Sequence, residues 1–188
     1  ANGRARAGIG IGGGKEQYEA MGKDFHTRGA RCNEQLELLS ALLTEPSVSF
    51  SGRWENVQDM GLDPLPVQSH IPLWYGGAPV PGDRVVARIG RFFDGWFVLC
   101  SPEEYPEVRS RIDNAAKVAG RDPAAIGTEA GVAVVGPREA EWQDRVSNWR
   151  STGLDYVCIR TLGGELGEPQ QHLDRLSAVA EEAFDLAS

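Results

Sequence analysis

The chain has 188 residues, 41% hydrophobic and 24% charged, the make-up of a globular protein with enough length to bury a core rather than of a disordered or collagen-like chain. Its 19 Lys and Arg stand against 27 Asp and Glu, a formal net charge of −8, which argues against non-specific binding to nucleic acid or to an anionic membrane, since both need cationic surface. No apolar run approaches the roughly 20 residues that span a bilayer, Arg4 and Arg6 lead into glycines rather than a signal-peptide core, and Cys32, Cys100 and Cys158 form no C-x-x-C pair, so a cytoplasmic protein with reduced thiols is expected.

Short apolar strands alternate with amphipathic helices, the pattern of βαβ units and a parallel sheet. Residues 6–11 predict the first strand, ending in Gly12-Gly13-Gly14. After a polar stretch, residues 28–45 predict a helix with Cys32, Leu36, Leu39 and Leu43 on one face, stopped at Pro46. Residues 48–57 alternate around Ser51-Gly52 and predict a β-hairpin. Residues 71–75 predict the second core strand, closed by Gly76-Gly77, and residues 79–90 a short helix. Residues 96–100 predict the third core strand. Ser101, Pro102 and Glu104 then read as N-cap, first-turn proline and capping box of a helix ending at Gly120. A fourth strand is predicted over 128–135, then a helix over 137–152 with Trp142, Val146 and Trp149 inward. Residues 155–160 predict the fifth strand, and residues 170–186 a last helix burying Leu173, Leu176, Ala180 and Phe184. The expectation is one domain over residues 1–188, with five strand–helix units and an inserted hairpin. Periodicity alone allows an open doubly wound sheet or part of an eight-stranded barrel.

Gly8-Ile9-Gly10-Ile11-Gly12-Gly13 satisfies G-x-G-x-x-G. A dinucleotide site needs that motif between a strand and a helix N-terminus, with an acid closing the next strand. Here the glycines overlap the strand, and the nearest acid, Glu34, falls in the predicted helix. A tight turn is the better reading, with a nicotinamide-binding domain as the lesser alternative. Lys15 is followed by Glu16, not by the Ser or Thr of a P-loop. His26, His70 and His172 lack ligand spacing, and no metal site is expected. Arg28 and Arg88 read as ion-pair or surface residues.

Gly76-Gly77-Ala78 is more specific. It ends a strand and opens a helix, where free amides bind anions and glycine lets a phosphate approach the backbone. Cys100-Ser101-Pro102 repeats the arrangement one unit later, with Ser101 either capping the helix or sharing a phosphate oxygen. Two such places at the C-terminal ends of neighbouring strands suit one phosphorylated cofactor, and in barrels that face carries the active site. Arg160 closes the last strand at the same face and is a candidate ligand contact. Trp74 and Trp96, near strands that end in loops, are candidate pocket walls.

Taken in order, these pieces resemble the luciferase-like monooxygenase family, in particular its branch using the deazaflavin coenzyme F-420. The resemblance is carried by G-I-G-I-G from Gly8, F-H-T-R-G-A-R from Phe25, E-Q-L-E-L-L from Glu34 and V-S-F-S-G-R from Val48. It continues with P-L-P-V-Q from Pro64, I-P-L-W-Y-G-G from Ile71, D-G-W from Asp94 and residues 155–167. It implies an eight-stranded TIM-type β/α barrel, of which the five units here are the fourth to eighth. The first three units, roughly 100 residues at ordinary unit size, are then absent. A partial barrel has two unpaired edges and a half-open interior, so the chain is expected to be a fragment of a longer protein or to complete itself as a homo-oligomer.

The resemblance further implies a flavin- or deazaflavin-dependent oxidoreductase or monooxygenase acting on a small-molecule substrate. Coenzyme F-420 or FMN would sit with its phosphate near Gly76, Gly77 and Ala78, supported by Cys100 and Ser101, with Gly10 and Gly12 close to cofactor or substrate. Trp74 and Arg160 are the substrate candidates. No catalytic acid or base is assigned, because related enzymes often draw those groups from the early strands. The alternative is a non-catalytic flavin-binding or structural homodimeric relative.

Overall fold

The computed structural model describes residues 3–185. Seven strands and six α-helices follow one another as β1 (Ala7–Ile9), α1 (Lys15–Ala20), α2 (Arg28–Thr44), β2 (Val48–Ser51), β3 (Asn56–Met60), β4 (Leu73–Tyr75), α3 (Asp83–Phe92), β5 (Gly95–Val98), α4 (Tyr105–Val118), β6 (Gly127–Ala133), α5 (Trp142–Ser151), β7 (Tyr156–Arg160) and α6 (Pro169–Asp185). Five strands form one parallel sheet in the order β1-β4-β5-β6-β7, while β2 and β3 pair antiparallel as a separate hairpin. Each sheet strand therefore lies beside its predecessor in the chain. That is the winding of a β/α barrel, whereas a doubly wound sheet reverses direction at a switch point. The barrel is not closed: the outer edges of β1 and β7 have no strand partner among the described residues.

Strand side chains alternate between faces. Leu73, Tyr75, Trp96, Val98, Thr128, Ala130 and Val132 are buried and, Thr128 apart, belong to the apolar cluster with Ile89, Val108, Ile112 and Trp149 from the helices. Burying each large side chain of this kind contributes about 1.5–3 kcal/mol. The opposite, inner face is rich in glycine because bulky rings lie across it. Trp74 occupies the space of a Cβ at Gly95 (2.2 Å) and crowds one at Gly127 (3.2 Å). The Arg6 guanidinium lies over Trp74 at 4.4 Å and pairs with Glu129. Phe97 and Tyr156 flank the same indole at 5.3 and 6.0 Å.

Local signals set most boundaries. α2 stops before Pro46, since the residue preceding proline disfavours helical backbone. The amide of Ser101 donates to Glu104 Oε2 (2.9 Å), and the Glu104 amide to Ser101 Oγ (3.3 Å), so the predicted capping box forms. The regular helix begins just after it, at Tyr105. Gly120, at φ +73°, reverses the chain after α4. α3 and α4 meet closely at Gly90, where a Cβ would lie 2.5 Å from the Ala115 carbonyl carbon. The hairpin is fastened to α2 by Glu34, whose carboxylate accepts from the amides of Arg53, Trp54 and Glu55 at 2.8, 2.8 and 2.7 Å.

Four expectations change. The polar stretch holds α1, a six-residue helix with no buried side chain and so no apolar period to reveal it. α3 starts at Asp83, not at residue 79, with Gly82 at the N-cap after Pro79 and Pro81. Residues 139–141 form a 3₁₀ turn, and α5 starts at Trp142. On α6 the expected stripe faces outward: Leu173 is 57% exposed, Leu176 and Ala180 are also exposed, and Val179, at 4%, is the buried residue. Phe184 and Leu186 lie outside the residues whose side chains are described. α6 follows the edge strand β7, and among the described residues its contacts with the rest of the fold lie on the side of His172, Arg175, Val179 and Glu182. That side is tied by Arg175 Nε to the Val134 carbonyl (2.7 Å) and by Glu182 Oε2, which accepts from Trp142 Nε1 (3.1 Å).

Candidate functional site

Parallel pairing brings all five strand ends to one rim, with neighbouring strands about 4.8 Å apart. Two groups of residues stand on that rim. The first follows β1 and β4. The Gly76 amide donates to the Ile9 carbonyl (2.9 Å), and a Cβ at Gly10 would lie 3.1 Å from the Gly76 oxygen. Gly12, at φ +68°, holds a left-handed turn that side-chain-bearing residues disfavour. Phe97 covers Gly76 and Gly8 from the inner face, 3.6 and 3.3 Å from where a Cβ would be.

Beneath Gly77 sits the Tyr75 hydroxyl, 1.9 Å from the position a Cβ would take. Burial raises the Tyr75 phenol above its usual pKa, with the Ala78 amide and then Arg88 acting in the opposite direction. The ring is therefore a neutral support for the loop. Burial likewise raises the Cys32 thiol, again opposed by Arg88. Arg88 is neither an ion-pair nor a surface residue. It is 6% exposed and donates from Nε to Asn33 Oδ1 (2.5 Å) and from Nη2 to the Gly29 carbonyl (2.9 Å), while Nη1 has no partner among the described residues.

This loop fits an anion at one place in particular. The Gly76 amide is engaged in the sheet, the Ala78 amide faces Tyr75, and Pro79 has no N–H. Gly77 is exposed, and its amide engages no protein acceptor among the described residues.

The second group follows β5, β6 and β7. A cavity of about 420 Å³ is lined by Cys100, Ser101, Arg138, Arg145, Trp149 and Arg160, among others. The amide and hydroxyl of Ser101 both serve the capping box, so this serine holds the helix start. Burial raises the Cys100 thiol and Glu104 raises it further, which keeps it protonated. Arg138 pairs with Glu141 at 2.7 Å. Arg145 Nη1 donates to the Ala133 carbonyl (3.1 Å) and Arg160 Nη2 to the Gly131 carbonyl (3.4 Å). Neither Arg145 nor Arg160 forms an ion pair among the described residues.

The fold thus places Gly10, Gly12, Gly76, Gly77 and Ala78 at one part of the rim and gathers Cys100, Ser101 and Arg160 in another. Trp74 joins neither group. Its ring lies over Gly95 and Gly127, the first residues of β5 and β6, so it fills the opposite end of the inner face from Arg160. The corrected role is packing beneath Arg6, and at 5% exposure it is not a pocket wall. Arg138 and Arg145 were missed by the sequence reading. Their spacing of seven, with Trp149 four residues further on, marks one helical face, but the tryptophans alone drew the assignment. A nicotinamide site is not supported: β4, the neighbour of β1, ends in Tyr75-Gly76 with no acid, and Glu34 serves the hairpin. Lys15 pairs with Glu19 at 3.3 Å. No helix among the described residues is long and apolar enough to cross a membrane.

The sequence profile of one family, described as luciferase-like monooxygenase, matches residues 1–186. An uncharacterized protein of Mycobacterium tuberculosis is 31% identical over 119 residues, 62% of this chain and 40% of that protein. The phthiodiolone/phenolphthiodiolone dimycocerosates ketoreductase of Mycobacterium kansasii is 30% identical over 129 residues, 66% of this chain and 34% of that protein. The chain spans less than two thirds of the length of these relatives. Among solved structures, an F-420-dependent secondary alcohol dehydrogenase in complex with an F-420–acetone adduct superposes with a TM-score of 0.69 at 14% identity, over 84% of this chain and 64% of that one. That likeness is one of fold.

Proposed function

The chain belongs to the luciferase-like monooxygenase family, and from that premise we propose that it forms the cofactor-phosphate side of an oxidoreductase that uses F-420 or FMN on a small-molecule substrate. The observation that carries the reading is the glycine rim at the ends of β1 and β4. There the exposed Gly77 amide has no protein acceptor among the described residues, and it stands over a neutral tyrosine and a buried arginine. Bound at this rim, F-420 supplies hydride transfer, and a flavin supplies hydride transfer or oxygen activation.

The chain's own residues bind and position. The Gly77 amide receives the phosphate, and Gly10 and Gly12 keep the neighbouring loop free of side chains. Tyr75 props the loop from below, and Phe97 closes its inner side against water. Cys100 and Ser101 hold the next strand end in place beside it. No described residue is assigned as catalytic acid or base. Further parallel strands at the open β1 and β7 edges belong to this reading, because an unpaired edge leaves rows of amides and carbonyls without partners. A second copy of the chain is the other way to cover them.

Fluorescence titration of the purified chain with FMN and, separately, with F-420 tests the proposal. Saturable binding of one names the cofactor class. Gly76→Asp should abolish that binding by placing bulk and negative charge at the phosphate. Unchanged affinity in Gly76→Asp removes the phosphate assignment, and binding of neither cofactor shows that these strand ends do not make a site by themselves.

A further inference from the structure

Resting on the reading of this chain as a cofactor-dependent oxidoreductase, we propose that the cavity at the ends of β5, β6 and β7 seats a tetrahedral oxyanion of the substrate, a phosphate or a sulfonate, between Arg145 and Arg160. The cavity measures about 420 Å³, far more than the ~30 Å³ that one water occupies and within the range of ligand sites. Its lining residues include three guanidiniums and one carboxylate, Glu103, in a chain whose net charge is −8.

The charges are not equivalent. Arg138 pairs directly with Glu141, whose carboxylate acts on Arg145 only at longer range. Glu103 is stabilised as a carboxylate by its own backbone amide and by the Ser101 hydroxyl. Arg145 and Arg160 are each held by a single carbonyl, Ala133 and Gly131 respectively, two residues apart on β6. A guanidinium has five N–H donors, so most of theirs remain for a ligand. Two like charges on one cavity wall repel, and an anion between them removes that repulsion. Arginine's planar fork matches a tetrahedral oxyanion with paired hydrogen bonds.

Gly131 is part of the construction. A Cβ there would lie 2.5 Å from Arg160 Nε, so the glycine leaves the floor on which the arginine lies. Cys100 and Ser101 line it, but the Ser101 amide and hydroxyl oxygen serve the capping box and none of Gly10, Gly12, Gly76, Gly77 and Ala78 lines it, so the site is separate from the glycine rim. One anion belongs to each place.

Calorimetric titration of the 188-residue chain with inorganic phosphate and, separately, sulfate at low ionic strength tests this. The expected result is saturable one-site binding, weakened at least tenfold in Arg160→Gln. Gly131→Ala, which keeps every charge but displaces the Arg160 side chain, should weaken it similarly. Arg91→Gln, in a surface pair with Glu37, should leave it unchanged. A thermal melt of each variant confirms folding. FMN and F-420 affinities should be the same in Arg160→Gln as in the parent, while Gly76→Asp should lose cofactor and keep phosphate. No saturable binding of either anion, or equal binding in Arg160→Gln (an adventitious ion only), overturns the proposal. Competition between FMN and phosphate, with both weakened by Arg160→Gln, also overturns it, because the cavity then holds the cofactor's phosphate. A parent chain that binds phosphate but neither cofactor supports this proposal and shows that the glycine rim does not make a cofactor site by itself.

Discussion

Gly77→Ala tests the link between the glycine rim and the tyrosine beneath it. The added methyl would stand 1.9 Å from Tyr75 Oη and 2.4 Å from its Cζ, where ordinary contact begins at 3.4 Å. Tyr75 cannot turn away cheaply, because it is buried and packs edge-on to Phe93 with 5.7 Å between ring centroids. The loop must move instead. Overpacking of this kind costs about 1–3 kcal/mol, and the stiffer unfolded chain returns about 0.4–1 kcal/mol. The net loss is about 1–2 kcal/mol, and at about 2–4 °C per kcal/mol for a chain of this size the melting midpoint should fall by about 2–8 °C.

Circular-dichroism melts read the stability. Titration with whichever cofactor binds reads the displaced loop, and a loss of about 1.4 kcal/mol there is tenfold in affinity. Tyr75→Phe combined with Gly77→Ala removes the worst contact and leaves the ring carbon, so it should recover part of the loss, a coupling visible in a double-mutant cycle. If Gly77→Ala melts at or above the parent temperature, the loop does not rest on the tyrosine hydroxyl and the reasoning fails.

Gly90→Ala sets two effects against each other. Alanine favours the helix by about 1 kcal/mol, but its Cβ would meet the backbone of α4 at 2.5 and 2.6 Å, and a rigid neighbour makes the steric cost of about 1–3 kcal/mol prevail. A lower melting midpoint is expected, with Gly167→Ala, which meets nothing within 4 Å, as the neutral control. An increase in Gly90→Ala would show that α3 and α4 are not in close contact. For Glu34, desolvation alone would raise the carboxyl, but the amides of Glu55, Trp54 and Arg53 and the Arg53 charge outweigh it and leave it lowered. A folded-state value below the unfolded one, about 4.3, means stability that is present above that pH and lost as pH falls through the folded value. Glu34→Gln should therefore melt below the parent at pH 7, and the two midpoints should converge as the pH falls through the folded value. A difference that persists undiminished in acid would point to some role other than the carboxylate charge.

Much of this protein was legible in the chain. Short apolar runs such as Leu73–Tyr75, the 3.6-residue spacing of Cys32 and Leu36, and breakers such as Pro46 and Gly120 are local signals, and local steric rules act on them before any tertiary contact forms. The glycine rim was visible for the same reason, as glycines that close short apolar strands. Other features depended on neighbours far away in sequence. Strand order separates a barrel from a doubly wound sheet, yet both share one hydrophobic period. α6 carries apolar residues on two sides, and which side is covered depends on what stands beside β7. Trp74 belongs to a strand with neighbours on both faces, and only the glycines at 95 and 127 determine where its indole can lie. Arg88 became buried because Gly29 and Asn33 offered acceptors across a gap of more than 50 residues. Arg145 and Arg160 share a wall because β6 and β7 pair in parallel across the helix between them. Sequence by itself determined the elements, since those rest on backbone sterics and side-chain periodicity. The tertiary structure decided which charges stand together, since that depends on the distances between elements.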